Sequence, residues 1–408
     1  MIHISLSPNL EIDDVWLSLK WLFSPFRWSD QKSQEKLKSK LFTLFPQAKA
    51  IFLLNSGRSA LMLGIKTLNL PKNSKIFLQS FTCSVVPNSI LWNQLVPQYI
   101  DISKTDYNLN PKLLPRNPTA KALIVQHTFG QPAKLEEIVE YCQKNKLYLI
   151  EDCAHSLGAT YRGKTIGTFG DFAILTFGRD KVISSVFGGA LIINNENLVK
   201  PMENLYRNLS YPPTFWTFQQ LLHPSITYLA KKTYHLYLGK VILSLAQKAK
   251  LISKAVYPKE YLHQVPKVFP SRLPEPLADL ASHQLLKLNR FNHCRQQIAL
   301  YYQKNLHHPL ITKPKWNPEG IYLRYTILLN QPEKLKSYLK NHGIIIEKRH
   351  WYTQPITPSD NLSLINYQKG QCPIAEEVCQ QCLNLPTNPT MTIKEAKYIT
   401  KLINQWQP

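Results

Sequence analysis

From Ala50 to Asn195 the chain alternates short apolar runs with helical patterns, and that alternation constrains the fold more than any other feature. "AIFLLNSGRSALMLGIKTL" is an apolar run, a Gly turn and a helix, and "KIFLQSFTCSVVPNSILWNQ" repeats the plan. "VPQYIDI" and "ALIVQHTFG" are short apolar strands, "KLEEIVEYCQKNK" is an amphipathic helix, and "LYLIEDCAH", "GDFAILTFG" and "GGALIINN" are further strands. Runs this short, apolar at consecutive positions, have no polar face to turn to water. They need cover on both sides, and helices alternating with them in sequence provide it. The expected class is α/β, a mainly parallel sheet between helical layers.

The 408 residues divide into four expected regions. Residues 1–45 read as a helical segment, with "DDVWLSLKWLF" amphipathic and "SDQKSQEKLKSKLF" starting at a Ser cap. Residues 46–200 are the large α/β domain. Residues 201–270 form a helical, basic, aromatic-rich insertion. Residues 271–408 open on one long helix, "LADLASHQLLKLNRFNHCRQQIALYYQKNL", and continue as a small α+β domain with strands "YLRYTILLN" and "GIIIEKR" and a last helix from "TIKEAKYITKLINQW".

From Asn208 to Ala230 there is no Lys, Arg, Asp or Glu, but Pro212, Pro213, Pro224, Gln219, Gln220 and His223 interrupt the run, so no spanning helix is expected. From Ser225 to Glu260 seven lysines stand against one acid. A solvated insertion is the plain reading; a basic amphipathic face in peripheral contact with a membrane, through residues 205–265, is the functional one. Lys plus Arg number 49 and Asp plus Glu 26, a net charge of +23. That excess suits an anionic partner, but no RNA- or DNA-reading motif is present and nucleic acid is not expected. Seven cysteines are scattered, and the single "CQQC" at Cys379 and Cys382 reads as two reduced thiols on a helix, with no metal site. "MIHISLSPNLEIDD" lacks a secretory signal pattern, and a cytoplasmic location is expected.

Ligands of open parallel sheets bind beyond the carboxyl ends of the strands. Three loops there carry chemistry. "NSGRSAL" joins a strand to a helix; Gly57 permits a tight turn, the following N–H groups can hold a phosphate, and Arg58 and Ser59 add donors. In isolation such a Gly turn is more often structural. "IEDCAH" delivers Asp152, a helix cap or surface acid if taken alone, or a carboxylate beneath a cationic ring nitrogen; His155 would donate to an oxygen of the same ring. "FAILTFGRDK" delivers Thr176, a phosphate ligand, and Lys181, which forms Schiff bases once burial or neighbours such as Arg179 lower its pKa. A phosphate cradle, an acid for a pyridinium nitrogen and an imine-forming lysine are the parts that pyridoxal 5′-phosphate requires.

These stretches, with "SFTCSVVPNSI", "HTFGQPAKLEEI", "IEDCAHSLGATYRGKTIGTFGDFAILTFGRDK", "QLLKLNRFNHCRQQIALYY" and "CPIAEEVCQQCLNLPTNPTMT", make the chain resemble the DegT/StrS type of pyridoxal-phosphate-dependent sugar aminotransferases, from about Gln31 to the C-terminus. The resemblance implies fold type I: a mainly parallel seven-stranded sheet flanked by helices, with a smaller C-terminal α+β domain. It implies that Lys181 binds the cofactor and moves protons, that Asp152 pairs with the pyridine nitrogen, that His155 stands near the ring hydroxyl, and that Thr176, Gly57 and Arg58 hold the phosphate. It implies a homodimer, an amino-acid donor (usually glutamate) and a nucleotide-linked keto-sugar as acceptor. Three departures stand out. Cys83 replaces an aromatic ring over the cofactor, the family's "GEGG" reads "VFGG" at Val186 to Gly189, and its "NYR" reads "PSR" at Pro270 to Arg272. The alternatives are a dehydration on the same cofactor, against which the retained Lys181 argues, and a non-catalytic regulator that keeps the fold.

Overall fold

The computed structural model describes residues 1–236, 238–347 and 351–407. Its centre is a seven-stranded sheet: β1 (Ala50–Leu54), β2 (Lys75–Gln79), β3 (Val96–Ile100), β4 (Ala120–Gln126), β5 (Tyr148–Asp152), β6 (Phe172–Thr176) and β7 (Gly189–Ile193). The spatial order is β1-β7-β6-β5-β4-β2-β3. All neighbours are parallel except β7, which is antiparallel to both β1 and β6.

Alternate residues of each strand enter two separate cores. Ile51, Leu53, Ala173 and Leu175 pack on one face with Trp21, Leu37 and Leu41. Phe52, Leu54, Phe172 and Ile174 pack on the other with Ala60, Leu61 and Ile65. Two-sided burial is why the strands read as unbroken apolar runs.

The helices are α1 (Ile12–Leu22), α2 (Lys32–Leu44), α3 (Gly57–Thr67), α4 (Val85–Leu91), α5 (Leu135–Lys144), α6 (Val199–Arg207), α7 (Thr214–Thr233), α8 (Leu238–Lys248), α9 (Pro258–Tyr261), α10 (Glu275–Leu286), α11 (Leu288–Asn305), α12 (Pro332–Asn341), α13 (Pro373–Gln381) and α14 (Ile393–Gln405). In the C-terminal region β8 (Tyr325–Leu328) pairs antiparallel with β9 (Cys382–Leu385) over a third core that includes Ile298, Leu335 and Ile399. Ile2–His3 pairs with Ile344–Ile345, tying the N-terminus to this region. Among the described residues no helix is long and apolar enough to cross a membrane.

Four local expectations need correction. α2 starts at Lys32 after Gln31 in the left-handed region (φ 61°), not at a Ser cap. The long helix breaks at Lys287, whose ammonium is drawn to Glu11, Asp13 and Asp14, leaving α10 and α11 as separate helices. Of "GIIIEKR" only Ile344–Ile345 is strand, and Lys348 and Arg349 lie outside the described residues. Cys379 is on α13, but Cys382 opens β9, so the two thiols do not share a helix.

Candidate active site

Strands β1, β5 and β6 end at nearly one level, and their loops wall a cavity of about 200 Å³. Gly57, Arg58, Asp152, His155, Thr176 and Lys181 all line it, so the six residues singled out from sequence converge.

The first wall is the start of α3. Ser56 caps the helix by accepting from the Ser59 N–H at 3.2 Å, and the Ser59 hydroxyl donates to Asn55 Oδ1 at 2.7 Å. A Cβ on Gly57 would stand 2.8 Å from Thr176 Cβ, and one on Gly189 would stand 2.6 Å from the Gly57 nitrogen. Only glycine lets β7, the end of β6 and the first turn of α3 meet so closely. That turn presents N–H groups and the positive end of the helix dipole to the cavity. Arg58 is not a free donor there. It ion-pairs with Glu260, and its Nη2 donates to the Ala255 carbonyl at 2.9 Å.

The second wall is the end of β5. Asp152 is buried, and its Oδ1 accepts from the Ala154 N–H at 3.0 Å. Burial pushes its pKa up, against the pull of that N–H, Lys181 and His127. A cationic ring nitrogen placed beside it would satisfy the charge that burial penalises. His155 lies 3.0 Å from Lys181 Nζ through Nε2, while its Nδ1 accepts from the Phe129 N–H at 3.3 Å. With Nδ1 accepting, a neutral imidazole carries its proton on Nε2, and that N–H can donate only to an unprotonated amine.

The third wall carries Lys181. Burial lowers its pKa and Arg324 adds to the fall; Cys83, Asp152 and Asp180 oppose it. Arg179, expected to do this work, instead turns to Ser253, donating to its carbonyl and hydroxyl at 2.8 Å each. The backbone of the lysine is held from afar. Asn9 Nδ2 donates to the carbonyls of Lys181 (2.7 Å) and Val182 (3.0 Å), and the fully buried Arg295 donates to Asn9 Oδ1 (2.9 Å) and Val182 (2.8 Å). Nothing local in sequence linked residues 9, 181 and 295.

Sequence reasoning also missed Trp351. Its ring lies parallel to His155 (5.1 Å between centroids, 4° apart), and Lys181 Nζ stands 4.6 Å from its centre. Cys83 lines the cavity without a ring, so the flat aromatic surface comes from the C-terminal region. In "VFGG", Val186 holds φ 70°, a conformation that costs a β-branched residue about 1–2 kcal/mol and suits the glycine of the family pattern. In "PSR", Ser271 donates to Val268 and Arg272 to Tyr206 and Arg207, all backbone carbonyls of this chain. On the opposite face His127, Glu151 and Cys153 converge. Glu151 accepts N–H bonds from Gly167, Phe169 and Gly170 and His127 Nδ1 accepts one from Ala133, a set of roles that supports the loop structurally.

Comparison with known proteins agrees with this architecture. The chain is 34% identical over 183 residues to EpsN of Bacillus subtilis, a match covering 43% of this chain and 47% of that protein. It is 24% identical to the dTDP-3-amino-3,6-dideoxy-alpha-D-galactopyranose transaminase of Aneurinibacillus thermoaerophilus over 90% of this chain and 88% of that one. The structure of the E. coli GDP-4-keto-6-deoxy-D-mannose-3-dehydratase with bound hydrated PLP superposes with a TM-score of 0.74 at 17% identity, covering 99% of this chain and 100% of that one, and shows the shared fold. Residues 24–221 and 244–404 match one family model, and on that match the chain belongs to the DegT/DnrJ/EryC1/StrS aminotransferase family.

Proposed function

We propose that the protein is a pyridoxal-phosphate-dependent aminotransferase that moves an amino group from an amino acid, glutamate first among donors, to a keto group on a nucleotide-linked sugar during amino-sugar synthesis. The observation that carries the reading is one cavity with Lys181 and Asp152 on its walls and the glycine-opened start of α3 beside them. These residues fit the cofactor. The N–H groups of Gly57 and Arg58 and the Thr176 hydroxyl would hold its phosphate, Asp152 its ring nitrogen, Trp351 and His155 its flat surroundings, and Lys181 its aldehyde carbon. When bound, the cofactor supplies an electron sink for the donor's α-carbon.

The chain's own residues do the rest. Burial keeps Lys181 neutral more readily than a surface lysine, so its amine can accept the proton at the α-carbon and return it elsewhere. Asp152 would keep the ring nitrogen of the bound cofactor protonated, and His155, 3.0 Å from Lys181 Nζ, orients the amine. The retained lysine favours amino transfer over dehydration and over a regulator without chemistry. A homodimer, a cytoplasmic location and peripheral membrane contact through residues 205–265 complete the proposal.

The test is spectroscopic. Protein purified with the cofactor should show a visible absorbance band that is lost on borohydride reduction, that Lys181→Ala lacks, and that glutamate shifts to shorter wavelength. A stable band that responds to no amino donor would favour the regulatory reading. A screen of nucleotide keto-sugars would then name the acceptor.

A further inference from the structure

We propose that helices α1, α7 and α8 form a platform that docks on an anionic lipid bilayer. This gives the membrane contact of the preceding proposal its residues, and extends it to the N-terminal helix.

The observation is a helix turned inside out. In α8, Leu238, Val241 and Leu245 are 51–59% exposed, while the buried positions are the small residues Gly239 and Ala246. Gly239 sits against the Ala230 carbonyl of α7 with no room for a Cβ. A surface helix ordinarily buries its apolar stripe and hydrates the other side. Here the small face packs and the apolar stripe, at i, i+3 and i+7, looks out.

The neighbouring helices continue the pattern. α1 packs on α7 and α7 on α8, so the three are joined in one packed series. α7 exposes Phe215, Phe218 and Leu229; α1 and the turn after it expose Ile12, Trp16, Phe23 and Phe26. The family match lapses over residues 222–243, the end of α7 and the start of α8. Isolated exposed apolar side chains need no explanation, but a run of them over three packed helices does.

Charge selects the occupant. Lys232, Lys240, Lys248, Lys250, Lys254 and Lys259 are exposed between residues 225 and 260, and the one acid of that stretch, Glu260, is buried against Arg58. The acids of α1 are engaged too: Asp13 and Asp14 face Lys287 and His283. A second copy laid on this face would bring two lysine sets together. An anionic headgroup layer neutralises them while the apolar stripe enters the acyl boundary, the arrangement of interfacial amphipathic helices.

Flotation of the full-length, cofactor-loaded protein with vesicles tests this. It should float with phosphatidylglycerol–phosphatidylcholine vesicles, weakly with phosphatidylcholine alone, and less at high salt. Leu238→Ser/Leu245→Ser should lower partitioning by about tenfold or more, and Lys248→Ser/Lys250→Ser by about fivefold per lysine. Unchanged circular dichroism and cofactor absorbance would show that both variants fold. Absence of flotation with anionic vesicles, or equal flotation of the variants, overturns the proposal. So does an α8 variant that falls from dimer to monomer in solution, which would make the face a contact between copies. Flotation by a protein lacking the cofactor band would sink the enzymatic reading and leave the docking surface standing.

Discussion

At the residue scale, Lys181 is a cation placed where a cation is penalised. Its folded pKa lies below the ordinary lysine value of 10.5, with burial as the chief cause. The unfolded chain therefore binds a proton that the folded chain resists. The resulting penalty is present in full below the folded pKa and vanishes above 10.5, so stability rises with pH across that window. Cofactor-free Lys181→Met should be more stable than the cofactor-free wild type near neutral pH, with the gap closing as pH climbs. Chemical denaturation at several pH values checks this, and a gap that widens with pH contradicts it. Asp152, Lys181 and Gly57 were legible because each stands at, or within five residues of, the end of an apolar strand. Trp351 was not, since it reaches the cavity from 170 positions beyond the lysine, and no local pattern marks a ring that stacks on His155. Arg58 illustrates a different failure. A sequence shows an arginine beside a phosphate turn, but not that Glu260 arrives from a distant insertion to occupy it.

At the element scale, two junctions bear the site. β7 runs so close to the start of α3 that Gly189→Ala would force a Cβ to 2.6 Å from backbone atoms that cannot give way. A loss of about 1–3 kcal/mol is expected, with weaker cofactor retention, read by thermal denaturation and by dialysis against cofactor-free buffer. The other junction joins α1 to α10 and α11. Burial alone would lower the pKa of Lys287, but contacts with Asp13, Asp14 and Glu11 raise it. The same contacts, with His283, overcome the burial of Asp13 and hold its pKa at about 2. Lys287→Ala removes the nearer cation, at 3.1 Å, from the buried Asp14, and should cost about 2 kcal/mol after discounting the exposure of Asp13. The contribution is present above the ordinary aspartate value of 3.8 and is lost as pH falls through about 2; urea midpoints measured between neutral and acid pH would reveal it. The break between α10 and α11 escaped prediction because periodicity continues smoothly across Lys287.

At the scale of the whole molecule, the insertion closes one side of the cavity through Ala255 and Val256, while the C-terminal region supplies Trp351 and Tyr352. If the chain pairs as proposed, light scattering should return twice the 47.1 kDa of one chain, and a monomer at working concentration would remove that part of the proposal. The sequence alone determined the sheet, its helical cover and the loops carrying Gly57, Asp152 and Lys181, because period and burial are local properties written within a few residues. Only the tertiary structure decided which distant groups complete the site. Asn9 and Arg295 grip the lysine loop, Glu260 takes Arg58, Trp351 faces the amine, and α8 turns its apolar side outward. Each depends on how separate elements pack, and packing joins residues whose separation along the chain carries no periodic signal.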